Sequence, residues 1–146
     1  MAFLALSGVS EILGGTRVLR KELHSVFDYI ELVAQGVPKS ALIRLAEYLD
    51  LSIGQISQLL PVSERTIQRY PSDQRCSGVV SEHILHLATV AARGSEVFGD
   101  RENFLSWLNQ PSVALGNRVP LDLLNSRFGA DMVLEELGRM EHGVFS

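Results

Sequence analysis

Residues 52–70, SIGQISQLLPVSERTIQRY, carry polar and cationic side chains whose types and spacing suit contact with DNA. Side chains on the first turns of a helix can reach base edges and phosphates in the major groove. Arg65 and Arg69 are four residues apart, so a helix places both on one face as phosphate contacts. The predicted DNA-binding residues are Gln55, Ser63, Glu64, Arg65, Thr66, Gln68 and Arg69.

The same segment has the apolar spacing that two short helices need to pack across a tight turn. Its apolar residues are Ile56, Leu60, Val62, Ile67 and Tyr70. Ser52 can cap the first helix, with Gln55 three residues later completing a capping box, and Ser63 can cap the second. The pattern predicts a helix-turn-helix. A plain helical hairpin with solvated polar faces is the alternative.

Other residues that could do chemistry stand alone. His83 and His86 are three apart on a predicted helix, but no third strong metal ligand accompanies them, so solvated or hydrogen-bonded histidines are expected. Cys76 has no CxxC neighbour, and a passive thiol is expected rather than a reactive one. No phosphate-binding loop, dinucleotide fingerprint or nucleophile elbow is present. We therefore predict no catalytic residue, metal or cofactor, and a protein that is not an enzyme.

The C-terminal end, RMEHGVFS, places apolar side chains beside a glycine. Val144 and Phe145 are apolar, yet Gly143 before them and the chain end leave them no helix on which to pack. An exposed apolar tail indicates a pocket on a partner protein, and a frayed terminus is the alternative. The predicted partner-binding residues are Arg139, Met140, Glu141, His142, Gly143, Val144, Phe145 and Ser146.

The elements that position these residues are predicted to be helices. Apolar residues recur at spacings of three and four, and no strand-like alternation persists, so the predicted fold class is all-α. Helices are predicted over residues 39–49, 53–60, 63–70 and 80–97. Asp100 is placed to cap a helix that ends before Pro111, and Pro120 suits the first position of a short helix. A last helix is predicted from Asp131 to Met140, after Gly129.

Residues 1–35 are predicted to form a small helical unit. Ser10 is placed to cap a turn that ends at Gly14-Gly15, and a helix after it is expected to end near Gly36. The apolar face of that helix is predicted to consist of Leu19, Leu23, Val26, Phe27, Ile30 and Val33. We expect this face to serve self-association.

The charge is distributed unevenly along the chain. The net charge of −4 divides into −1 for residues 1–35, +1 for residues 36–93 and −4 for residues 94–146. Phosphate neutralisation supplies most of the affinity for DNA, so a monomer with so few central cations would bind weakly. We therefore expect a homodimer or a higher oligomer on DNA.

Composition also bears on the location of the protein. The 146 residues contain a single cysteine, so no intramolecular disulfide can form, which is typical of a reducing cytoplasm. The apolar start MAFLALSGV has no basic residue before it, and no run approaches the roughly 18 apolar residues of a membrane span. A cytoplasmic protein with no membrane partner and no targeting segment is expected.

Two stretches resemble known families. Residues 52–70 resemble the helix-turn-helix of Xre/Cro regulators, although Pro61 stands where such turns usually have a glycine with positive φ, so the turn must be built differently.

From Val97 onward the chain resembles the toxin-binding region of the Xre/MbcA/ParS antitoxins. The shared marks are Phe98-Gly99-Asp100, Trp107-Leu108 with Pro111, Leu115-Gly116 before Pro120-Leu121, Gly129, and Leu137-Gly138-Arg139 leading to Gly143. The aromatic residues expected in its core are Phe98, Phe104, Trp107 and Phe128.

The resemblance implies an antitoxin whose partner is a RES-domain toxin that consumes NAD. It further implies that the last residues of the chain enter the active-site cleft of the toxin, and that the helix-turn-helix represses the operon by binding operator DNA. The expected units are residues 1–36 for dimerisation, residues 37–78 for DNA and residues 79–146 for the toxin. The alternative is a helix-turn-helix regulator whose C-terminal region only dimerises, with no toxin partner.

Overall fold

The computed structural model describes residues 6–143, and its regular structure is helical throughout that range. The α-helices are α1 (Leu6–Ile12), α2 (Gly15–Leu19), α3 (Val26–Gln35), α4 (Lys39–Tyr48), α5 (Ile53–Ser57), α6 (Glu64–Arg69), α7 (Gly78–Phe98), α8 (Arg101–Leu108) and α9 (Arg127–Glu141). Two 3₁₀ helices, Val113–Leu115 and Pro120–Leu123, lie between α8 and α9. The prediction of an all-α fold is confirmed.

Helix α7 is the central element, and α1, α3, α4, α8 and α9 all pack against it. It is 21 residues long, and a continuous series of its residues from Leu87 to Gly94 is buried. Gly94 permits the contact with α8, because a Cβ at this position would come within 2.2 Å of the Phe104 ring. Since α7 touches both the N-terminal and the C-terminal helices, one core joins the whole described chain. No helix in the described range is both long enough and apolar enough to span a membrane.

The N-terminal unit differs from its prediction. Ser10 lies inside α1 rather than at a cap, and Arg20 ends α2 with a left-handed φ of 58°. A new helix, α3, starts only at Val26, where Ser25 and Asp28 form a capping box. The apolar face that was predicted for one helix is therefore divided between α2, the turn after it and α3.

The two parts of that face also differ in burial. Leu19 and Leu23 enter the core, whereas Phe27 and Ile30 on α3 are 72% and 60% exposed. A single amphipathic helix over residues 19–33 was the wrong interpretation.

The C-terminal helix begins earlier than predicted. Its cap is Ser126, whose hydroxyl accepts a hydrogen bond from the Gly129 backbone amide at 3.1 Å. Gly129 thus lies within α9 instead of preceding it. A Cβ on Gly129 would come 1.9 Å from the Leu123 carbonyl oxygen, so the glycine is required by close packing and not by a turn. The adjacent Phe128 is 87% exposed, which contradicts its expected place in the core.

The helix starts predicted from Asp100 and Pro120 are confirmed. Asp100 caps α8 by accepting a hydrogen bond from the Asn103 amide at 2.7 Å. Phe104 is fully buried, and the Phe98 ring packs against the rings of Phe104 and Trp107 at centroid distances of 6.5 and 5.6 Å. Pro120 occupies the first turn of its 3₁₀ helix, as expected.

Candidate DNA-binding and partner-binding sites

Helices α5 and α6 form the helix-turn-helix, and their facing sides are buried. Ile56 and Ile67 are at most 1% exposed, and Leu60 is 8% exposed. As expected, the turn between α5 and α6 forms without a positive φ. Neither Pro61 nor a residue next to it is among the described residues with positive φ. Both helices are shorter than predicted. Residues Leu59 and Leu60 instead continue α5 through hydrogen bonds of the i to i+3 type.

Several predicted DNA-binding side chains also build the helix-turn-helix. The Ser52 hydroxyl accepts from the Gln55 amide at 3.1 Å, and the Gln55 side-chain oxygen accepts from the Ser52 amide at 2.8 Å. The Ser63 hydroxyl accepts from the Thr66 amide at 3.1 Å and donates to the Thr66 hydroxyl at 2.9 Å. These predicted capping roles are confirmed.

The outer face of α6 carries the remaining predicted residues. Gln68 donates to the Glu64 carboxylate at 3.0 Å, so this pair is satisfied within the helix. Arg65 and Arg69 are exposed, and neither makes a hydrogen bond or ion pair with any residue between 6 and 143. These two guanidinium groups are therefore available to phosphates or bases.

The C-terminal end of α6 is fixed by α4. The Lys39 ammonium group donates to the Tyr70 carbonyl oxygen at 2.8 Å, where the helix has no intrahelical donor left. The Lys39 amide also donates to the Gln74 carbonyl oxygen, at 2.8 Å. Sequence reasoning missed this use of Lys39, whose charge completes a helix end and is not free for DNA.

The end of α9 carries the predicted partner-binding residues. The Arg139 guanidinium contacts the buried Glu136 carboxylate at 2.7 Å, one turn earlier on α9. Glu141 forms a two-pronged ion pair with Arg93 of α7, at 2.7 and 2.5 Å. Met140 is half-buried, while His142 and Gly143 are exposed. Val144, Phe145 and Ser146 lie outside the described residues.

The Arg93 pair has an electrostatic consequence. Hydrogen bonding from the Arg93 guanidinium lowers the pKa of the Glu141 carboxyl, and the same contact raises the pKa of Arg93. Both groups are therefore held in their charged forms at neutral pH.

Contacts of Arg101 connect α4 to the C-terminal helices. Arg101, at the start of α8, donates to the carbonyl oxygens of Tyr48 and Glu47 at 2.7 and 3.1 Å, and its guanidinium lies over the Tyr48 ring. The Tyr48 hydroxyl is 2.5 Å from the Ser95 hydroxyl of α7. The end of α4 is thereby fixed to both α7 and α8.

A groove of about 630 Å³ lies between α3, α7 and α9, and sequence reasoning did not predict it. Its lining includes Val26, Ile30, Val79, His83 and His86. The His86 ring is 3.2 Å from the Asp131 carboxylate, whereas His83 reaches only the Leu124 carbonyl oxygen, at 3.5 Å. The two histidines thus have separate partners.

Burial also raises the pKa values of two other side chains, Tyr29 and Cys76. Burial raises the pKa of Tyr29 to about 12, against the opposing effect of the Thr89 side chain. Cys76 is buried, which raises the pKa of its thiol and fits the expected passive role.

These features define the class of the protein. Between residues 6 and 143 the chain is helical, two capped helices pack across a tight turn, and the arginines on the outer helix have no partner within that range, which together define a helix-turn-helix protein. Comparison with known families then separates its two halves. Residues 28–88 match the antitoxin Xre-like helix-turn-helix domain, and residues 93–143 match the antitoxin Xre/MbcA/ParS C-terminal toxin-binding domain. The chain therefore carries the two domains of Xre-type antitoxins, an Xre-like helix-turn-helix domain and an Xre/MbcA/ParS C-terminal domain.

Curated relatives of the chain are also named as antitoxins. The chain is 35% identical over 85 residues to "Antitoxin Xre" of Yersinia enterocolitica, covering 58% of this chain and 57% of the relative. It is 25% identical to "Antitoxin Xre" of Photorhabdus laumondii, with 79% of each chain covered. It is 28% identical to "Prs ADP-ribosylating antitoxin" of a Sphingobium species, covering 84% of this chain and 83% of the relative.

Proposed function

We propose that this protein binds a NAD-consuming RES-domain toxin through residues 139–146 and keeps substrate out of its active site. The same protein binds operator DNA through α5 and α6 and represses its own operon in the cytoplasm. It acts by binding and not by catalysis. The observation that carries the proposal is the match of residues 93–143 to a toxin-binding domain, which ends directly before the apolar residues Val144 and Phe145.

Charge supports a NAD-using partner. Residues 94–146 carry a net charge of −4, with eight acidic and four basic side chains. A site for NAD must accommodate its pyrophosphate, so it presents cations or helix N-termini to the substrate. An acidic unit complements such a surface and steers the encounter.

The name of one relative also supports NAD as the substrate of the partner toxin. The name printed for the Sphingobium relative contains the word "ADP-ribosylating", and NAD is the usual donor in ADP-ribosylation. A toxin that cleaves NAD with water and one that transfers ADP-ribose to a protein would thus present similar clefts. The two are distinguished by whether a labelled adenylate group becomes attached to protein.

Co-purification and growth protection test the toxin-binding role. The tagged protein, co-expressed with the product of the adjoining reading frame, should retain that product through purification and protect the cells. Deletion of Val144–Ser146 should retain the complex and abolish protection. The double variant Arg65→Ala, Arg69→Ala is the matched control, and it should protect cells normally because α6 is remote in sequence from the toxin-binding residues. Protection by the deleted chain would contradict the proposal.

Self-association completes the DNA-binding role. Arg65 and Arg69 supply only two unpaired guanidinium groups on α6, so a second copy is needed for firm phosphate contact. The surface we assign to this contact consists of the exposed Phe27 together with Val26, Ile30 and Val79, which line the groove between α3, α7 and α9. It carries both a projecting ring, Phe27, and a concave apolar groove. A two-fold axis can therefore place the projection of each copy against the groove of the other.

A further inference from the structure

The ion pair between Arg93 and Glu141 joins two residues 48 positions apart and ties the end of α9 to α7. Arg93 is 7% exposed, and its two terminal nitrogens contact the two carboxylate oxygens of Glu141. A second carboxylate, that of Glu96, is more distant, at 3.6 Å. A buried guanidinium requires such a partner, and the planar fork fixes the orientation of the carboxylate it binds.

The position of Glu141 is unfavourable for α9 alone. The C-terminal end of a helix carries a partial negative charge, so an acidic side chain there is disfavoured and a cation is preferred. Glu141 is the last residue of α9, and Arg93 compensates its charge from another helix. The pair thus stabilises the contact between α7 and α9 at the point where α9 ends.

The chain changes direction just after this pair. His142 follows as the C-cap, and Gly143 has a left-handed φ of 74°. The ion pair therefore lies two residues before the turn that leads into residues 144–146. A fixed starting point lowers the conformational entropy that a short segment loses on binding.

We infer that Arg93 and Glu141 form a positioning clasp that directs the C-terminal residues of this chain toward the active site of the toxin. The inference rests on the proposed function and adds a residue, Arg93, that cannot itself touch the toxin because it is buried. For Glu141 alone, the clasp replaces the direct partner contact of the proposed function, because its carboxylate acts through Arg93.

A double-mutant cycle tests the clasp. The dissociation constant of the complex with the purified product of the adjoining reading frame is measured with and without Glu141→Gln, in the full chain and in the chain that ends at Gly143. Glu141→Gln should weaken binding about tenfold in the full chain, equal to about 1.4 kcal/mol, with a matching loss of inhibition, and should weaken binding less than twofold in the shortened chain. A clasp that works through the tail has no effect once the tail is removed.

Variants at Arg93 separate positioning from direct contact. Arg93→Lys keeps the charge but loses the two-pronged geometry, so it should weaken inhibition as Glu141→Gln does. Exchange of the charges, Arg93→Glu with Glu141→Arg, should restore inhibition in part. Glu82→Gln is the matched control, because Glu82 and Arg127 join α7 to the opposite end of α9 at 2.8 Å. It should leave inhibition unchanged.

Each outcome decides the inference. Equal losses from Glu141→Gln in both chain lengths would assign it a direct contact or a general fold effect and would overturn the clasp. Normal inhibition by Glu141→Gln and Arg93→Lys, with inhibition lost on shortening, would overturn the clasp and leave the proposed function intact. Unchanged inhibition by the shortened chain would overturn both. Melting temperatures identify any variant that fails to fold. If an Arg93 variant fails to fold, the milder Glu141→Gln still decides between the outcomes.

Discussion

Most cationic side chains near the helix-turn-helix are already used within the protein. Lys39 completes the end of α6, Arg75 donates to the Gly36 carbonyl oxygen at 2.5 Å, and Arg101 joins α8 to α4. Arg65 and Arg69 on α6 are exposed and unpaired within residues 6–143, and Arg44 on α4 shares both properties. Because α6 carries the predicted DNA-binding side chains, DNA binding should depend on Arg65 and Arg69 more than on total charge.

Each of Arg65→Ala and Arg69→Ala should weaken operator binding and reduce the salt dependence. Each lost phosphate contact should make the negative slope of log affinity against log salt shallower by about 1 per subunit. Fluorescence anisotropy with labelled operator DNA from 50 to 200 mM salt measures both quantities. Arg118→Ala, in the loop after Gly116, removes the same charge from the C-terminal half. An equal loss with Arg118→Ala would show a nonspecific charge effect.

His86 should make the protein less stable in mild acid. Burial lowers the pKa of His86, against the opposing effect of Asp131, with Arg127 and His83 lowering it further. The unfolded chain then binds the proton more readily, so stability should fall as the pH drops below about 6.5. Thermal unfolding between pH 7.5 and 5.5 measures this loss, and His86→Gln should reduce it.

His24 provides the opposite control. A hydrogen bond to Glu22 raises the pKa of His24, so its protonation should favour the folded state over the same range. His24→Gln should therefore make the acid loss steeper. A pH profile that is identical in the wild type and in His86→Gln would refute the assignment.

The candidate functional residues could be predicted from the sequence, but the partners that their side chains have in the folded protein could not. The exposed Arg65 and Arg69 and the caps at Ser52 and Ser63 follow from local spacing. The pairing of Arg93 with Glu141 depends on how α7 packs against α9, which no local pattern contains. The role predicted for Glu141 as a partner contact stays a prediction.

At the scale of elements, close approach of the backbone explains why α9 was predicted too short. Gly129 suggested a break, since glycine is disfavoured within helices. The structure shows instead that α9 begins at Arg127 and that the glycine admits the Leu123 carbonyl oxygen. Ser126 was the available signal, because serine is a preferred N-cap.

Gly129→Ala should destabilise the fold by about 1–3 kcal/mol, because the added methyl overlaps the Leu123 backbone. Gly138→Ala is the matched control in the same helix, since a Cβ there meets nothing within 4 Å. It should stabilise the fold by about 0.5–1 kcal/mol through helix propensity. Urea unfolding of both variants measures the difference. Equal effects of the two substitutions would contradict the packing of α9 on the 3₁₀ helix Pro120–Leu123.

Periodicity located the longer helices but not the division of the N-terminal unit. Helices α4 and α7 follow the predicted ranges within a few residues, because their apolar stripes face one core. The turn at Arg20 has a positive φ at a residue type that seldom adopts one, so spacing alone did not indicate it.

At the scale of the whole molecule, α7 links the helix-turn-helix half of the chain to the helices of the C-terminal domain. The end of α4 contacts α7 and α8 through Tyr48 and Arg101, and α9 packs along α7. The division into residues 1–36, 37–78 and 79–146 stays a prediction, because these segments share one core.

Self-association through α3 makes a separate prediction at this scale. Phe27→Asp should convert a dimer into a monomer without loss of helix content, since Phe27 is 72% exposed in the single chain. Light scattering over a range of protein concentrations measures the mass. Val113→Asp, at a position that is 85% exposed elsewhere, should leave the dimer intact. A wild-type protein that is monomeric at all concentrations would contradict the assigned surface.

Occlusion of the toxin is tested most directly by its residual NAD consumption when it is saturated with antitoxin. Saturation with the full chain should reduce consumption to background. Saturation with the chain that ends at Gly143 should leave substantial activity, although the complex still forms. Full activity in a saturated complex with the full chain, or complete inhibition by the shortened chain, would contradict the account.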